Sequence, residues 1–572
     1  MNRRRELVAW IALCAATVLS RVLVAPGVLY DWDAANYAHA MRDFDVAMHQ
    51  PHPPGYLLYV LLLRALSVLP GEVTPFIALN ALFSCAVLWL LAELARRHAT
   101  AGLGYLCALA FAVCPPFWHQ GAATTIYVTE CLCSVLAARA AFALCDGRIS
   151  GERAALWFGL VVALRPSGAL TLGPLMLTAL YLARLPLRAL LRGVGLFVAT
   201  VLLWLVPTVL LSGGLERYRR ASSALGHWQL DLGSAFGHAS LAEVLPRLRR
   251  LLLFLLDATN LLLLLALASG VVLLVTWLRR RRQAQPSAAP AAAAAEDAPS
   301  SSSRRDALLV LAWLLPPATI YGLHHLPKSG YVLTIVPALY MLCAWLCQHA
   351  IWPRGDSTAR PRRALRVVSA ALLALFLLLN GYGFVAAVPH ELLVHHDARI
   401  ALPSRVLLSG DYGVYALRYR TYAQRSMRRV LAKIKRDDVV VFLMGAHELH
   451  RLASYACPDC WLVASSIDHG CYTCNQAACG KRLDFGAFQN RVLRRPHRRT
   501  WALETKISAG KDGLYLERAR RTLFIGARGA KRVVVVTACP PCGVSLGEGV
   551  KDLGALHIGA GFRARALRIV AP

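Results

Sequence analysis

Residues 7–29, LVAWIALCAATVLSRVLVAPGVL, lead straight into Asp31-Trp32-Asp33-Ala34-Ala35-Asn36-Tyr37, and His52-Pro53-Pro54-Gly55-Tyr56 follows soon after. The apolar run has the length of a membrane crossing, for which an α-helix needs roughly 20 residues over about 30 Å of hydrocarbon. Two carboxylates, a histidine and a Pro-Pro break therefore stand at the mouth of a span. A segment that only had to cross the bilayer would gain nothing from acids there. Their placement points to chemistry at the lipid–water boundary.

The rest of the chain agrees with a membrane setting. Of its 572 residues 57% are hydrophobic, and the mean hydropathy is +0.48. Apolar runs recur at Gly193–Leu211, Ala258–Leu278, Ala307–Leu323, Tyr331–Ala350 and Ala364–Val388. So many runs imply a polytopic helical protein, not a signal peptide ahead of a soluble domain. The net charge of +31 is not a nucleic-acid signature. Its arginines cluster at the ends of apolar runs, as in Arg3–Arg5, Arg96-Arg97, Arg279–Arg282 and Arg362-Arg363, which is the pattern of cytoplasmic loops.

That pattern sets an expected topology. Arg3–Arg5 place the N-terminus in the cytoplasm and the Asp31/Asp33 segment on the far side. With Arg96-Arg97 inside, Pro75–Ala95 runs inward, so residues 55–69 lie flat in the interface. Gly102–Trp118 runs outward and Thr124–Cys145 inward. Two short spans then meet outside at Arg165-Pro166-Ser167-Gly168, and Gly193–Leu211 leads out to a polar loop, 212–250. Crossings at about 251–278, 307–324, 331–350 and 364–388 complete a count of about 11 and leave the C-terminus outside. Residues 283–305 are rich in Ala, Pro and Ser and read as a disordered cytoplasmic linker.

From about residue 390 the chain changes character. Val439–Met444 and Arg532–Thr537 read as strands and Tyr422–Ile434 as a helix, so 390–572 is expected to be a small extracytoplasmic α/β domain beside a transmembrane module, 1–389. Nine of the 16 cysteines lie in the apolar part as core residues. The other seven are Cys457, Cys460, Cys471, Cys474, Cys479, Cys539 and Cys542. An oxidising compartment favours disulfides among them. Zinc and redox readings stay open, because Cys471, Cys474 and Cys479 with one more ligand would close a tetrahedron.

Asp33 with Tyr37 four residues on, followed by His52-Pro53-Pro54, resembles the first external loop of the GT-C superfamily of polyprenyl-phosphate-sugar-dependent glycosyltransferases. Among these the chain is most similar to the protein O-mannosyltransferases and the aminoarabinose transferases of lipid A. Trp118-His119-Gln120 to Tyr127-x-x-Glu130 resembles their second external loop with its further acid. Leu164-Arg165-Pro166-Ser167-Gly168 resembles their short-helix hairpin, and Lys328-Ser329-Gly330-Tyr331-Val332-Leu333 the segment that reads the lipid phosphate. Ala34 departs from the Asp-Glu that many relatives carry at this point.

The resemblance implies an inverting transfer of a monosaccharide from a polyprenyl phosphate to a hydroxyl of a protein, lipid or envelope glycan. It implies an enzyme in the inner membrane of a bacterium, acting on the outer face. A hydroxyl is a poor nucleophile and needs a carboxylate to take its proton, for which Asp33 is the candidate. The leaving phosphate gathers charge that Arg165 and Lys328 would face. Tyr37, His52, Tyr331, His324 and His325 are candidate binding residues, with Asp31 and Glu130 as further candidate acids. No cofactor is expected; the alternative is a DxD pair, Asp31 and Asp33, holding Mg²⁺ or Mn²⁺.

Each residue also has a plain structural use. Asp31 can cap a helix, His52-Pro53-Pro54 can be a turn, Glu130 can favour a helix dipole and Arg165 can anchor to headgroups. The rival reading of the whole chain is a transporter or lipid flippase, whose working acids sit within spans. Here the acids lie at span ends, with Asp257 as the main exception.

Overall fold

The computed structural model describes residues 3–233, 241–283, 301–324, 328–352 and 360–386, most of 412–418, Tyr455, and ten strands in the tail. The helices in chain order are α1 Arg3–Val24, α2 Trp32–Arg42, α3 Leu57–Leu66, α4 Thr74–Arg96, α5 Ala101–Ala112, α6 Pro115–Ala122, α7 Tyr127–Cys145 and α8 Gly151–Leu164. They continue with α9 Gly168–Thr171, α10 Gly173–Ala183, α11 Leu187–Leu211, α12 Leu215–Gly233, α13 Leu241–Gln283, α14 Ser301–Thr319, α15 Val336–Ala350 and α16 Arg360–Ala386.

Local chemistry starts many of them. The side chains of Thr100 and Ser150 accept from the backbone N–H of Leu103 and Arg153 at the heads of α5 and α8. Proline sits in the first turn of α4, α6, α10 and α15, where its missing N–H costs nothing.

Among the described residues seven helices are long and apolar enough to cross a membrane, or eight if α5 and α6, bent by 61° at Val113-Cys114, form one broken span. The expected count was about 11. The three other expected crossings are the 14-residue α8, the 11-residue α10 and the 15-residue α15. At 1.5 Å per residue each reaches only about 16–23 Å. Breaks shorten them: Arg165-Pro166 ends α8, and a 3₁₀ turn over Tyr331–Thr334 precedes α15. The stretch expected to lie flat, 55–69, holds the ten-residue α3, which is too short to cross.

α7 is the central helix, buried along nearly its whole length, with α4, α8 and α10 packed around it. α1, α11, α13 and α16 instead expose large apolar side chains such as Leu7, Ile11, Leu203, Leu264 and Val385. A soluble protein would not tolerate such a surface, and in a bilayer it faces lipid. The helical part is therefore built as a multi-pass membrane protein.

The bundle has two distinct ends. At one, Glu6 of α1 pairs with Arg96 of α4. There Arg97 bridges Asp146 and Asp306, and Arg305 donates to Asp146 at 3.0 Å. At the other lie the first loop, the Arg165 turn and Lys328. Arg96 and Arg97, expected at a span end, thus meet Glu6, Asp146 and Asp306 at the end away from Asp33.

The linker expected over 283–305 lies mostly outside the described residues, but its last residues, 301–305, begin α14 instead. The boundary expected at 389 falls within 387–411, also outside the described residues. Val414 and Leu417, assigned from sequence to the tail, are buried against Ala122, Ala123 and Phe384 of the helical part, and Tyr412 is buried beside His119 and Phe254.

In the tail, β1 Asp438–Leu443 pairs in parallel with β2 Trp461–Ser466 and with β7 Arg532–Thr537. One sheet runs β3-β2-β1-β7-β10-β9, where β3 is Gly470–Thr473, β9 Val550–His557 and β10 Arg563–Val570. A second sheet runs β6-β5-β4-β8, with β4 Thr505–Gly510, β5 Gly513–Arg518, β6 Arg521–Gly526 and β8 Val544–Leu546. The helix expected over Tyr422–Ile434 lies outside the described residues.

Candidate active site

The first loop is held by its own backbone. The Asp31 carboxylate accepts from the Ala34 N–H at 2.9 Å and caps α2. Asp33 follows in the first turn and stays 29% exposed. The chain then turns through cis bonds at Gln50–Pro51 and Pro53–Pro54, and Gly55 takes φ +115°. A Cβ on Gly55 would lie 2.5 Å from the Thr208 methyl of α11, so only glycine fits this close approach. The turn delivers His52 to Asp33, with Nδ1 3.6 Å from Oδ1.

Lys328 comes from the far part of the sequence and places its ammonium 3.2 Å from Asp33 Oδ2. The turn that carries it is fixed by Gly330, where a Cβ would fall 2.1 Å from a ring carbon of Tyr127. Burial alone would raise the Asp33 pKa, but Lys328 and His52 more than offset it and hold the carboxyl well below the usual range. The same ion pair, with Tyr127 beside it, raises Lys328. Burial pushes His52 down to about 4, against the pull of Asp33. Near neutral pH this is an ionised carboxylate between an ammonium and a neutral imidazole.

An aromatic wall backs this group. The Tyr37 ring lies 5.8 Å from His52, 5.7 Å from Tyr56 and 5.0 Å from Tyr59. The guanidinium carbon of Arg165 sits 5.2 Å from the centre of the Tyr56 ring. The Tyr37 and Tyr59 hydroxyls and Arg165 Nε are buried without a hydrogen-bond partner among the described residues.

Glu130 lies deeper, in the first turn of α7, and is only 2% exposed. It forms an ion pair of 3.1 Å with Arg165 Nη2. Its other oxygen accepts from the hydroxyls of Thr334, at 3.1 Å, and Tyr321. Tyr331 stacks on Tyr321, with centroids 4.7 Å apart, and meets Tyr127 edge-on.

α6 joins from the side. Gln120 donates to the Ser329 hydroxyl at 3.2 Å, next to Lys328. His119 contacts the Tyr30 hydroxyl at 3.0 Å through Nε2. The His324 side chain and all of His325 lie outside the described residues.

The structure therefore brings together Asp33, His52, Tyr37 and Lys328, and in a second cluster Arg165, Glu130 and Tyr331. Asp31 has its cap contact at the edge. The sequence reading missed Tyr59, Tyr321 and Thr334 as neighbours of these groups. Tyr59 had a local signal, three residues after Tyr56 on α3; Tyr321 and Thr334 had none, because their partner is 191 and 204 residues away.

No family model matches the chain, and no curated protein matches it. Solved structures do. ArnT from Cupriavidus metallidurans in the apo state superposes with a TM-score of 0.52 at 14% identity, over 99% of this chain and 98% of that one. The same protein bound to undecaprenyl phosphate gives 0.50 at 13% identity, over 98% of each chain. The chain has the fold of ArnT. The Archaeoglobus fulgidus oligosaccharyltransferase in its apo form also matches, with a TM-score of 0.41 at 12% identity over 80% of this chain and 64% of its own. That likeness is too loose to carry an argument. In this fold the nine helical cysteines are free. The pairing of the seven tail cysteines, whose side chains lie outside the described residues, stays where the sequence left it.

Proposed function

We propose that this GT-C protein is an inverting glycosyltransferase that moves a monosaccharide from a polyprenyl-phosphate donor to a hydroxyl acceptor at the extracytoplasmic face of a bacterial inner membrane. The observation that carries this reading is Asp33, a partly exposed, ionised carboxylate at a span mouth, held between Lys328 and His52. The match over whole chains to ArnT, solved with undecaprenyl phosphate bound, supports a polyprenyl-phosphate partner.

The geometry gives each group a task. Asp33 accepts the proton of the incoming hydroxyl as the sugar leaves its phosphate. Lys328 and Arg165 face the charge that gathers on the departing phosphate. While Lys328 stays on Asp33, the carboxylate is a weak base; a donor phosphate that draws Lys328 away raises its basicity. His52 and Tyr37 hold the carboxylate side of the cleft, and the unpartnered Arg165 Nε and Tyr37 hydroxyl are donors still to be satisfied by substrate or water. We read the transfer as metal-independent, from the present partners of Asp31 and Asp33. One acid spends an oxygen on a helix cap and the other holds an ammonium at 3.2 Å.

The test is sugar transfer by the full-length protein in bilayers, with an undecaprenyl-phosphate sugar and crude envelope acceptors. Transfer that fails with Asp33→Asn and survives Asp257→Asn is the expected result. Unchanged transfer in Asp33→Asn, or solute transport that depends on the buried Asp257, overturns the proposal. Mass spectrometry of envelope glycans and glycoproteins from cells lacking the protein would name the acceptor.

A further inference from the structure

We infer that Glu130 is a positioning residue: it sets the Arg165 guanidinium against the donor phosphate, with Tyr321 and Thr334 as its supports, and neither takes a proton nor holds a cation. This rests on the proposed transfer from a lipid phosphate and adds a role that the first-loop chemistry does not require.

The argument starts from cost. Arg165 is 6% exposed at the end of α8, and a buried guanidinium without a counter-charge is strongly disfavoured. Glu130 supplies that charge at 3.1 Å from Nη2. This carboxylate meets groups from three separate elements: Oε1 accepts from the Tyr321 and Thr334 hydroxyls, and Oε2 faces Arg165. Arg165 follows α8, Tyr321 lies in the single π turn after α14, and Thr334 closes the 3₁₀ turn before α15. A carboxylate so engaged, 2% exposed, is badly placed to meet an acceptor hydroxyl or a hydrated ion.

The same contacts make it a good anchor. Arg165 is fixed by Glu130 on one nitrogen and by the Tyr56 ring on its face. Its Nε remains buried and unpartnered among the described residues. A planar guanidinium held at one edge presents its remaining N–H groups in a set direction, which suits an oxyanion. The Tyr321–Tyr331 stack then ties the anchor to the turn that carries Lys328, since the Tyr331 N–H donates to the Lys328 carbonyl at 3.1 Å. One buried acid thus sets the relative placement of both cations.

The experiment is a double-mutant cycle on the full-length protein in detergent, with undecaprenyl phosphate as the binding probe and sugar transfer as the rate. Glu130→Gln is expected to weaken probe binding and to raise the donor KM about tenfold, and to add almost nothing in an Arg165→Gln background. Tyr321→Phe keeps the ring stack and is the gentler variant; it is expected to raise the donor KM about threefold with kcat nearly unchanged. Losses in kcat that multiply with those of Arg165→Gln would make Glu130 a reacting group and overturn the inference. So would a lowered Tm with probe affinity unchanged in both Glu130→Gln and Tyr321→Phe, since Glu130 would then be structural only. Failure of the unmutated protein to bind the probe would instead sink the proposed donor, a separate and recognisable result.

Discussion

The two ends of the bundle use charge in opposite ways. At the arginine-rich end, Asp146 and Asp306 are saturated: Arg97, Arg148 and Arg305 converge on Asp146, and Arg97, His98 and Arg305 on Asp306. Arg97 also lies over Phe142 of α7, at 4.9 Å. These contacts fasten α4, α7 and α14 together and leave the Asp146 and Asp306 carboxylates only 19% and 12% exposed. At the other end, Asp33 has one ammonium and one neutral imidazole, and Lys328 remains 51% exposed. The same residue types are a staple where arginines supply most of the partners. In the proposed reaction they become a reactive group where the partner is a half-exposed lysine that a substrate can draw away.

The contrast breaks most visibly at Asp33. Replacing it with Asn is expected to lower transfer by about 10²–10⁴-fold, the usual worth of a general base, with Tm within a degree or two of the parent. A large fall in Tm would mean that this end, too, is a staple. Arg97→Gln should do the reverse. Leaving Asp146 and Asp306 short of a partner is expected to cost about 1–3 kcal/mol, read as a Tm several degrees lower with an unchanged donor KM. A changed donor KM there would show that the two ends communicate.

Acid sharpens the comparison. In the fold His52 takes its proton only near pH 4, against about 6.5 in an unfolded chain. Between those values the unfolded chain holds more protons, so stability rises with pH across this window and falls on acidification. Asp33, held below the ordinary carboxylate range, adds its own loss only at lower pH. Thermal unfolding between pH 6.5 and 4.5 should therefore show a slope that flattens in His52→Asn; equal slopes would remove His52 from the account.

The smallest effect is expected at Asp31. Losing its cap on α2 through Asp31→Ala costs about 1 kcal/mol, with most transfer retained. A collapse equal to that of Asp33→Asn would mean that the two acids act as a pair on a cation.

Much of this was readable in residues that are close in sequence. Asp31 and Asp33 fall within one turn of a helix start, and His52-Pro53-Pro54-Gly55 announces a turn through residues with fixed or unusual backbone angles. Arg96-Arg97 beside an apolar run marks a span end without reference to any other helix. The span count was less legible. Apolar composition does not distinguish a crossing from the short α8, α10 and α15, whose ends are set by Arg165-Pro166 and by packing around α7. Gly330 gave no warning either: its need for a bare Cα comes from the Tyr127 ring, which only the fold brings there.

The amino-acid order by itself determined a multi-spanning helical chain, the grouping of its arginines at span ends and an acid-bearing loop after the first crossing. These follow from solvation and local backbone preference, which act on neighbours along the chain. The tertiary structure alone decided which charges meet. Lys328 reaches Asp33 across 295 positions, and Glu130 holds Arg165, Tyr321 and Thr334 from three elements. Such pairings are selected by the cost of burying a charge unmatched, and that cost exists only once the helices have closed around it.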